Sequence, residues 1–551
     1  MSYNNTSNID VSEKKKTEQR DSIVIEDVPN TKIADFETAI TAAGTGKFQY
    51  LLILGIIPVS WASSIDTSNM SMILASAECD LGLSLFNKGL LNAIIYVGMV
   101  LSGFIWGYLA DVKGRKKIIL YGYMADGICN ILTGFSQNFE TLVFFKFLNG
   151  ILVSGPHATL VAYCSEFCGA KGRVKIPILV GVSVSFGCVV NAVFAWLVVP
   201  QPWSIVFWDG AFVYNSWRIY LTICGLPTLI GAFCLCFFPE SPKFLMSQGR
   251  NEDALEVFRK IYSMNTGLSK DNYSIHALGD INLNNTIEQS HSSKSQNNTK
   301  SLKTGIQQMK PMCLNPNLLR MLLFVTIQFC GMLCLNTLRL WQPQLFTTIE
   351  NFNSLNTNIT NPSFCEILDI STSVKENRTT TLEKMSNCEN IVIADSIYID
   401  NIIVSITSSV CIFCASIFVN YLQHKYLSFI SYGCALLCSI SLIWSTNILI
   451  ILTLTCLYIG LMSSAFNVTL GATVLLFPTS LSMYSILYLF IRAMAVSMEM
   501  MIGRVGAMIG NLIFPILLEY SCIAPIINLT CFNLVCMLLT CFVPSTRKHA
   551  V

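Results

Sequence analysis

The segment Gly107-Tyr-Leu-Ala-Asp-Val-Lys-Gly-Arg-Lys-Lys117 joins two long apolar stretches of this chain. Gly114 permits a tight turn between them, and Asp111 stands at the end of the first stretch, where it can pair with a basic residue or a helix terminus. A charged network of this kind can close one side of a membrane protein and must break when that side opens. A plain basic turn explains Arg115 but not the spacing of Gly107, Asp111, Gly114 and Arg115. The segment therefore favours a gate between two membrane helices.

The composition of the chain is that of a membrane protein. Of its 551 residues, 53% are hydrophobic and 12% are charged, which is about half the charged share of soluble proteins. The mean hydropathy of +0.55 exceeds what soluble cores of ordinary size can accommodate. The 35 lysines and arginines nearly balance the 33 acidic residues, so no excess of positive charge indicates binding to nucleic acid. We therefore expect an all-α protein of the lipid bilayer.

Twelve apolar runs are long enough to cross a membrane. About 20 residues at about 1.5 Å each cross a hydrocarbon core of roughly 30 Å. Six runs precede a long polar segment and six follow it, which predicts twelve transmembrane helices in two six-helix bundles. The predicted spans are 48–70, 88–110, 116–136, 139–163, 175–199, 217–238, 319–346, 396–420, 427–444, 448–472, 494–515 and 522–543.

Lysines and arginines concentrate in alternate connections, among them 113–117 and 171–175, and such residues mark cytosolic loops. Both termini and the central loop are therefore predicted to face the cytosol. Apolar residues at helical spacing from Asn251 to Tyr262 predict an amphipathic helix on the cytosolic face. The predicted domains are a cytosolic N-terminal segment 1–47, a bundle 48–238, a cytosolic central loop 239–318, a bundle 319–543 with an outer loop 347–395, and a cytosolic tail 544–551.

The outer loop after the seventh span carries features of an extracytosolic environment. Asn358 and Asn377 each begin an Asn-x-Thr acceptor sequence, so both are predicted to be glycosylated. Cys365 and Cys388 lie in the same loop, where oxidising conditions permit a disulfide worth about 3 kcal/mol. The alternative is two unpaired thiols in a flexible loop.

Five of the ionisable residues within predicted spans are candidates for a function, because such residues are costly there and usually functional. Asp66, the one carboxylate of span one, and Lys146 of span four are candidates for proton coupling or substrate recognition. Alternatively, Asp66 reaches water near the outer end of its span and Lys146 snorkels to the interface. His157 could relay protons or could be a packed, hydrogen-bonded histidine. Arg339 and Arg504 raise the same question in the second half of the chain.

The segment beginning at Gly107 resembles the signature loop of the major facilitator superfamily. The segment Pro239-Glu-Ser-Pro-Lys-Phe-Leu245 is similar to the stretch after span six in the sugar-porter and organic-ion branches of that superfamily. The resemblance implies the major facilitator fold and places Glu240 in a cytosolic charge network. Span four ends in Ser165-Glu-Phe167, which adds Glu166 to the predicted gate residues Gly107, Asp111, Gly114, Arg115 and Glu240.

Within that superfamily the chain most resembles the synaptic vesicle glycoprotein 2 family. The resemblance covers most of residues 36–265 and rests on the short motifs at 36–40, 46–48, 76–78, 87–89, 165–167 and 216–218. It implies a twelve-span, transporter-like protein of a vesicle or of the plasma membrane. The chain departs from the family in span ten, where Phe466 and Leu470 replace a ligand-lining tryptophan and aspartate, and in its much shorter outer loop.

Several function classes are disfavoured. The stretch Gly44-Thr-Gly46-Lys47 lacks the full pattern of a phosphate-binding loop, and no Gly-x-Ser-x-Gly segment occurs, so neither ATP-driven pumping nor enzymatic activity is expected. Cys411 and Cys414 lack a second ligand pair, and we expect no metal or other cofactor.

The sequence therefore predicts a secondary transporter of a small organic solute, cationic or sugar-like, with or without a coupled proton or ion. The alternative is a non-transporting vesicle protein that acts as a trafficking or binding partner. Asn420-Tyr-Leu-Gln-His-Lys425 lacks the Asp, Gly and Arg of a second gate, and this favours the alternative. The intact first gate and Asp66 favour transport.

Overall fold

A computed structural model gives the fold of the chain. It describes residues 33–173, 175–207, 209, 211–279, 317–355, 362–376, 395–476 and 485–544. The predicted glycosylation sites Asn358 and Asn377 lie outside the described residues, as does Cys388.

The described chain is mostly helical. Its helices are α1 (Phe36–Ala43), α2 (Lys47–Leu81), α3 (Leu85–Lys113), α4 (Arg115–Gly134), α5 (Phe139–Ser165), α6 (Ala170–Arg173), α7 (Lys175–Val198), α8 (Ser216–Cys224), α9 (Leu226–Cys236), α10 (Pro242–Ser247), α11 (Asn251–Thr266), α12 (Asn317–Leu355), α13 (Phe364–Glu376), α14 (Asp395–Phe418), α15 (His424–Ile443), α16 (Ile448–Leu476), α17 (Ser485–Tyr520) and α18 (Ile523–Thr540). Short strands β1 (Ile33–Ala34) and β4 (Ala277–Leu278) pair in parallel, and β2 (Ser204–Phe207) and β3 (Phe212–Asn215) form an antiparallel hairpin.

The long helices match the twelve predicted spans, with α8 and α9 together forming the sixth. Within the described ranges, ten segments are long and apolar enough to cross a membrane. The two remaining spans, α4 and α5, are helical, but they carry Asp126 and Lys146 along their length, and these charges lower their mean hydropathy. The chain is thus a multi-pass membrane protein.

Local sequence sets the turn between the first two spans. Gly82 ends α2 with a backbone φ of +59°, a conformation that favours glycine. Ser84 then caps α3, because its hydroxyl accepts a hydrogen bond from the Asn87 N–H at 3.2 Å. The turn is short, so α2 and α3 run antiparallel.

Glycines allow α3 and α5 to approach closely. A Cβ on Gly98 would lie 2.3 Å from the carbonyl oxygen of Phe147, and a Cβ on Gly150 would lie 2.1 Å from that of Ile95. Only glycine fits at either position unless the two backbones separate, as is common where membrane helices pack. This contact fixes the turn of α5 that carries Lys146.

The predicted amphipathic helix is confirmed as α11, and it packs on the protein. Its apolar face is buried, and the Phe258 ring lies 6.0 Å from that of Phe36 on α1. The Tyr273 hydroxyl donates to the Ala39 carbonyl at 2.6 Å. The segment before the first span and the start of the central loop therefore form one small layer at the predicted cytosolic end of the first bundle.

The predicted disulfide between Cys365 and Cys388 is wrong. Cys365 instead pairs with Cys522, with their Cα atoms 5.2 Å apart. The physical reason is that Cys365 belongs to a helix, α13, rather than to a flexible loop. The backbone N–H of Cys522 donates to the Asp369 side chain of that helix at 2.6 Å, which holds α13 against the start of α18.

Candidate functional site

Five polar side chains from three helices of the first bundle form a buried charge cluster. They are Asp66 on α2, Asp126 and Asn130 on α4, and Lys146 and Asn149 on α5. None is more than 1% exposed. Charged groups at such burial are rare and are usually paired or functional.

An amide chain links the three helices at this cluster. Asn130 Nδ2 donates to Asp66 Oδ1 at 2.7 Å, and Asn149 Nδ2 donates to Asn130 Oδ1 at 2.6 Å. The Lys146 ammonium makes no direct hydrogen bond to the described residues, but its charge acts on both Asp66 and Asp126. The cluster thus holds two carboxyl groups and one ammonium, and when all three are ionised it carries one net negative charge.

The structure decides between the two interpretations of Asp66 and of Lys146. Asp66 lies near the middle of the 35-residue α2 and is 1% exposed, so the prediction that it reaches water near the outer end is wrong. Lys146 is 0% exposed, so the snorkelling prediction is wrong as well.

Sequence reasoning missed Asp126, Asn130 and Asn149. The available signal was a second carboxylate, Asp126, inside a predicted span next to the one that carries Lys146. Neutral amides such as Asn130 and Asn149 are common in membrane helices and gave no comparable signal.

A second polar group lies between the two bundles, and we call it the interbundle cluster. Arg504 Nη1 on α17 donates to Ser154 Oγ on α5 at 2.9 Å. Arg339 Nη2 on α12 and the Tyr96 hydroxyl on α3 both donate to Asn336 Oδ1, at 2.9 and 3.1 Å. The interbundle cluster comprises Tyr96, Ser154, His157, Cys188, Asn336, Arg339 and Arg504.

The positive charge of this cluster is not balanced by a nearby carboxylate. Neither Arg339 nor Arg504 forms an ion pair with a residue that the structure describes. Glu499, also on α17, is buried but makes no contact with Arg504 among the described side chains. His157 Nδ1 has no hydrogen-bond partner in the same part of the chain, which does not match the prediction of a hydrogen-bonded histidine.

The bundles also touch toward the predicted outer side. The Tyr398 hydroxyl on α14 donates to the Met72 carbonyl on α2 at 3.5 Å. A Cβ on Gly89 of α3 would lie 2.7 Å from the Asn511 carbonyl of α17. These contacts join the two bundles on the predicted outer side of the interbundle cluster.

The α3–α4 turn and the segment after α9 form a third group, the turn cluster, made of Gly114, Arg115, Glu166, Glu240 and Ser241. Arg115 pairs with Glu166, and the Ser241 hydroxyl donates to the same carboxylate. Glu240 Oε1 accepts the backbone N–H of Lys116 at 2.9 Å. The turn cluster thus ties the beginning of α4 to the ends of α5 and α9.

Gly114 has a φ of +98°, and a Cβ there would lie 2.7 Å from Glu240 Oε2. The backbone therefore favours glycine, and any larger residue would also have to displace the Glu240 carboxylate. A Cβ added to Gly107 of the same segment would meet nothing within 4 Å among the described residues, and the Asp111 side chain lies outside them.

Close to the turn cluster, burial and the charges of Arg173 and Arg115 lower the pKa of Lys243.

An apolar pocket lies apart from these three groups. It lies within the second bundle, and leucine is the commonest of the described residues that line it, with Phe364, Phe514, Ile526 and Cys522 among the others and no charged side chain. It shares no residue with the buried charge cluster or the interbundle cluster, so we do not assign a polar solute to it.

The fold is that of the major facilitator superfamily. A D-xylose-proton symporter matches 92% of this chain and 100% of its own with a TM-score of 0.60 at 14% identity. An inward open structure of the xylose transporter XylE from E. coli matches 90% and 97% with a TM-score of 0.59 at 15% identity. A bacterial homolog to the human lysosomal transporter Spinster, inward-facing, matches 92% and 98% with a TM-score of 0.57 at 11% identity.

The family model described as "Sugar (and other) transporter" matches residues 38–360. The chain belongs to this family. It is 30% identical over 231 residues to synaptic vesicle glycoprotein 2B of Rattus norvegicus, which is 42% of this chain and 34% of that protein. It is 29% identical over 231 residues to synaptic vesicle glycoprotein 2A of Homo sapiens, which is 42% and 31%. The match spans about a third of the length of these curated relatives.

Proposed function

We propose that the chain is a secondary transporter that moves a small organic solute together with a proton by alternating access. The observation that carries this proposal is the buried charge cluster, in which Asp66, Asp126 and Lys146 lie buried on three neighbouring helices and Asn130 binds Asp66. One solved structure of the same fold is named a D-xylose-proton symporter, which agrees with a proton-coupled solute.

The net charge of the buried charge cluster is the basis for its proposed role in proton coupling. With both carboxylates ionised it carries one net negative charge in a medium where an uncompensated charge is costly. Binding of one proton makes the cluster neutral. If the solute-loaded carrier reorients only when this site is protonated, and the empty carrier returns without the proton, entry of the solute is coupled to entry of one proton.

The cluster is placed to influence the conformation. Asn130 binds Asp66 and Asn149 binds Asn130, so protonation of Asp66 acts on a chain of two hydrogen bonds that joins α2, α4 and α5. The interbundle cluster lies where the two halves must rock against each other in such transporters. We propose that it binds the solute.

The turn cluster is proposed to control opening on the cytosolic side, because Arg115, Glu166 and Glu240 connect three helix ends there. This assignment takes both termini to be cytosolic, as the basic connections indicate. The membrane is proposed to be that of a vesicle or the cell surface, in line with the names of the curated relatives.

Alanine at position 114 is expected to reduce the rate of solute uptake about tenfold or more at equal surface expression. A Cβ is strained at a φ of +98° and would displace the Glu240 carboxylate from the turn. Gly103→Ala is the comparison, since the described residues leave space for its Cβ and Gly103 is not one of the predicted gate residues. Equal uptake rates for the two variants would argue against a role of the turn cluster in opening.

The proposed function is tested by an untargeted metabolite uptake screen. Cells that express the full chain are compared with vector controls, with and without a protonophore. We expect at least one small organic solute to accumulate only in expressing cells, and less so when the proton gradient is collapsed. If the chain reaches the membrane and no solute accumulates, the non-transporting alternative replaces this proposal.

A further inference from the structure

Two cationic side chains of the second bundle point at the first bundle. Arg339 Nη1 lies 3.9 Å from Cys188 Sγ on α7, and Arg504 Nη1 lies 2.9 Å from Ser154 Oγ on α5. Both side chains are half-buried near the middle of their helices. Since each touches the opposite bundle, the exposed part faces the space between the bundles rather than lipid.

The charges of both guanidinium groups act on one hydroxyl, that of Tyr96. Arg339 shares the acceptor Asn336 Oδ1 with the Tyr96 hydroxyl, and the charges of both Arg339 and Arg504 act on that hydroxyl. Arg504 also acts electrostatically on His157. The site therefore presents two guanidinium groups, a hydroxyl and an imidazole.

The guanidinium donors of the interbundle cluster are not all paired with acceptors among the described residues. Arg339 Nε and His157 Nδ1 make no hydrogen bond to any described residue, and neither arginine has a carboxylate partner there. A guanidinium group presents donors in a planar fork that matches a carboxylate. An unpaired cation within a membrane protein is costly, and binding an anion relieves that cost.

We propose that the transported solute is an organic anion, whose carboxylate binds between Arg339 and Arg504. This substrate class rests on the proposed transport function and replaces the cationic or sugar-like solute expected from the sequence. Both bundles contribute to the site, so an occupant there is held by both halves as they rock. One proton on the buried charge cluster and one carboxylate in the interbundle cluster make the loaded step electroneutral for a monoanion.

Cys188 provides a reporter that requires neither a known solute nor transport. Purified full-length chain is treated with an anionic and with a cationic methanethiosulfonate reagent of similar size, and mass spectrometry follows labelling of the Cys188 peptide. We expect the anionic reagent to react about tenfold faster, because a positive cleft concentrates anions. In Arg339→Gln and Arg504→Gln this preference should fall toward equality, and it should persist in Arg320→Gln on the same helix as Arg339.

Equal rates in the wild-type chain, faster reaction of the cationic reagent, or an equal loss of preference in Arg320→Gln would overturn the proposal. If neither charged reagent and no neutral methanethiosulfonate reagent labels Cys188, the proposal is overturned as well, since no solute could then reach the interbundle cluster. A second experiment repeats the labelling of Cys188 in the presence of benzoate, an organic anion, or of benzamide, its neutral counterpart. We expect benzoate to slow the labelling and benzamide to leave it unchanged. If cells take up a solute but Cys188 shows no preference for the anionic reagent, the organic-anion proposal is refuted and the transport function is not. If Cys188 prefers the anionic reagent but no solute is taken up, the transport function is refuted.

Discussion

Asparagine at position 66 is expected to abolish concentrative uptake while solute exchange continues. In the wild-type chain one proton must neutralise the buried charge cluster, so an inward gradient of one pH unit can drive about tenfold accumulation for an electroneutral step. In Asp66→Asn the remaining Asp126 and Lys146 neutralise each other without a proton. The carrier then moves its solute without coupling, and the accumulation ratio falls to about one.

The two readouts for Asp66→Asn are accumulation under a pH gradient and counterflow between equal pH values, both in proteoliposomes. Asp395→Asn is the control, because Asp395 is an exposed carboxylate at the beginning of α14. Accumulation by Asp66→Asn at the wild-type level would remove Asp66 from coupling. Loss of counterflow together with accumulation would assign it to binding or folding instead.

Alanine at position 98 is expected to destabilise the first bundle strongly. Its Cβ would lie 2.3 Å from the Phe147 carbonyl oxygen, a backbone atom that moves only if α3 and α5 separate. Overpacking of this kind costs about 3 kcal/mol, which corresponds to a fall in Tm of about 10 °C. Thermal unfolding of detergent-solubilised protein, followed by size-exclusion chromatography, measures this.

Gly103→Ala is the matched control for position 98. Both glycines lie on α3, but an added Cβ at Gly103 meets nothing within 4 Å among the described residues. The Tm of Gly103→Ala should stay within a few degrees of the wild-type value. Similar Tm values for the two variants would show that the close approach of α3 and α5 does not contribute to stability.

The sequence was sufficient for the fold because apolar length and charged connections repeat along the chain. It was insufficient for helix ends: α2 continues to Leu81 and α12 to Leu355, past the predicted ends of the first and seventh spans. Bilayer thickness sets a minimum length for a spanning helix but no maximum. The partner of Cys365 was also missed, because proximity in sequence favoured Cys388 and packing of α13 brought Cys522 close instead.

The candidate site was predictable only in part. Asp66, Lys146, Arg339 and Arg504 stood out because each is a charge within an apolar run. Their grouping did not, because one sequence does not say which helices touch or which face points inward. The structure separates them into a cluster within the first bundle and a cluster between the bundles.

The most direct test of coupled transport is the proton movement that accompanies solute entry. Purified chain is reconstituted into liposomes that enclose a pH-sensitive dye, and the solute found in the uptake screen is added outside without an initial pH gradient. We predict acidification of the lumen that requires the chain and the solute and is absent in Asp66→Asn. Solute entry with no change in luminal pH would contradict proton coupling.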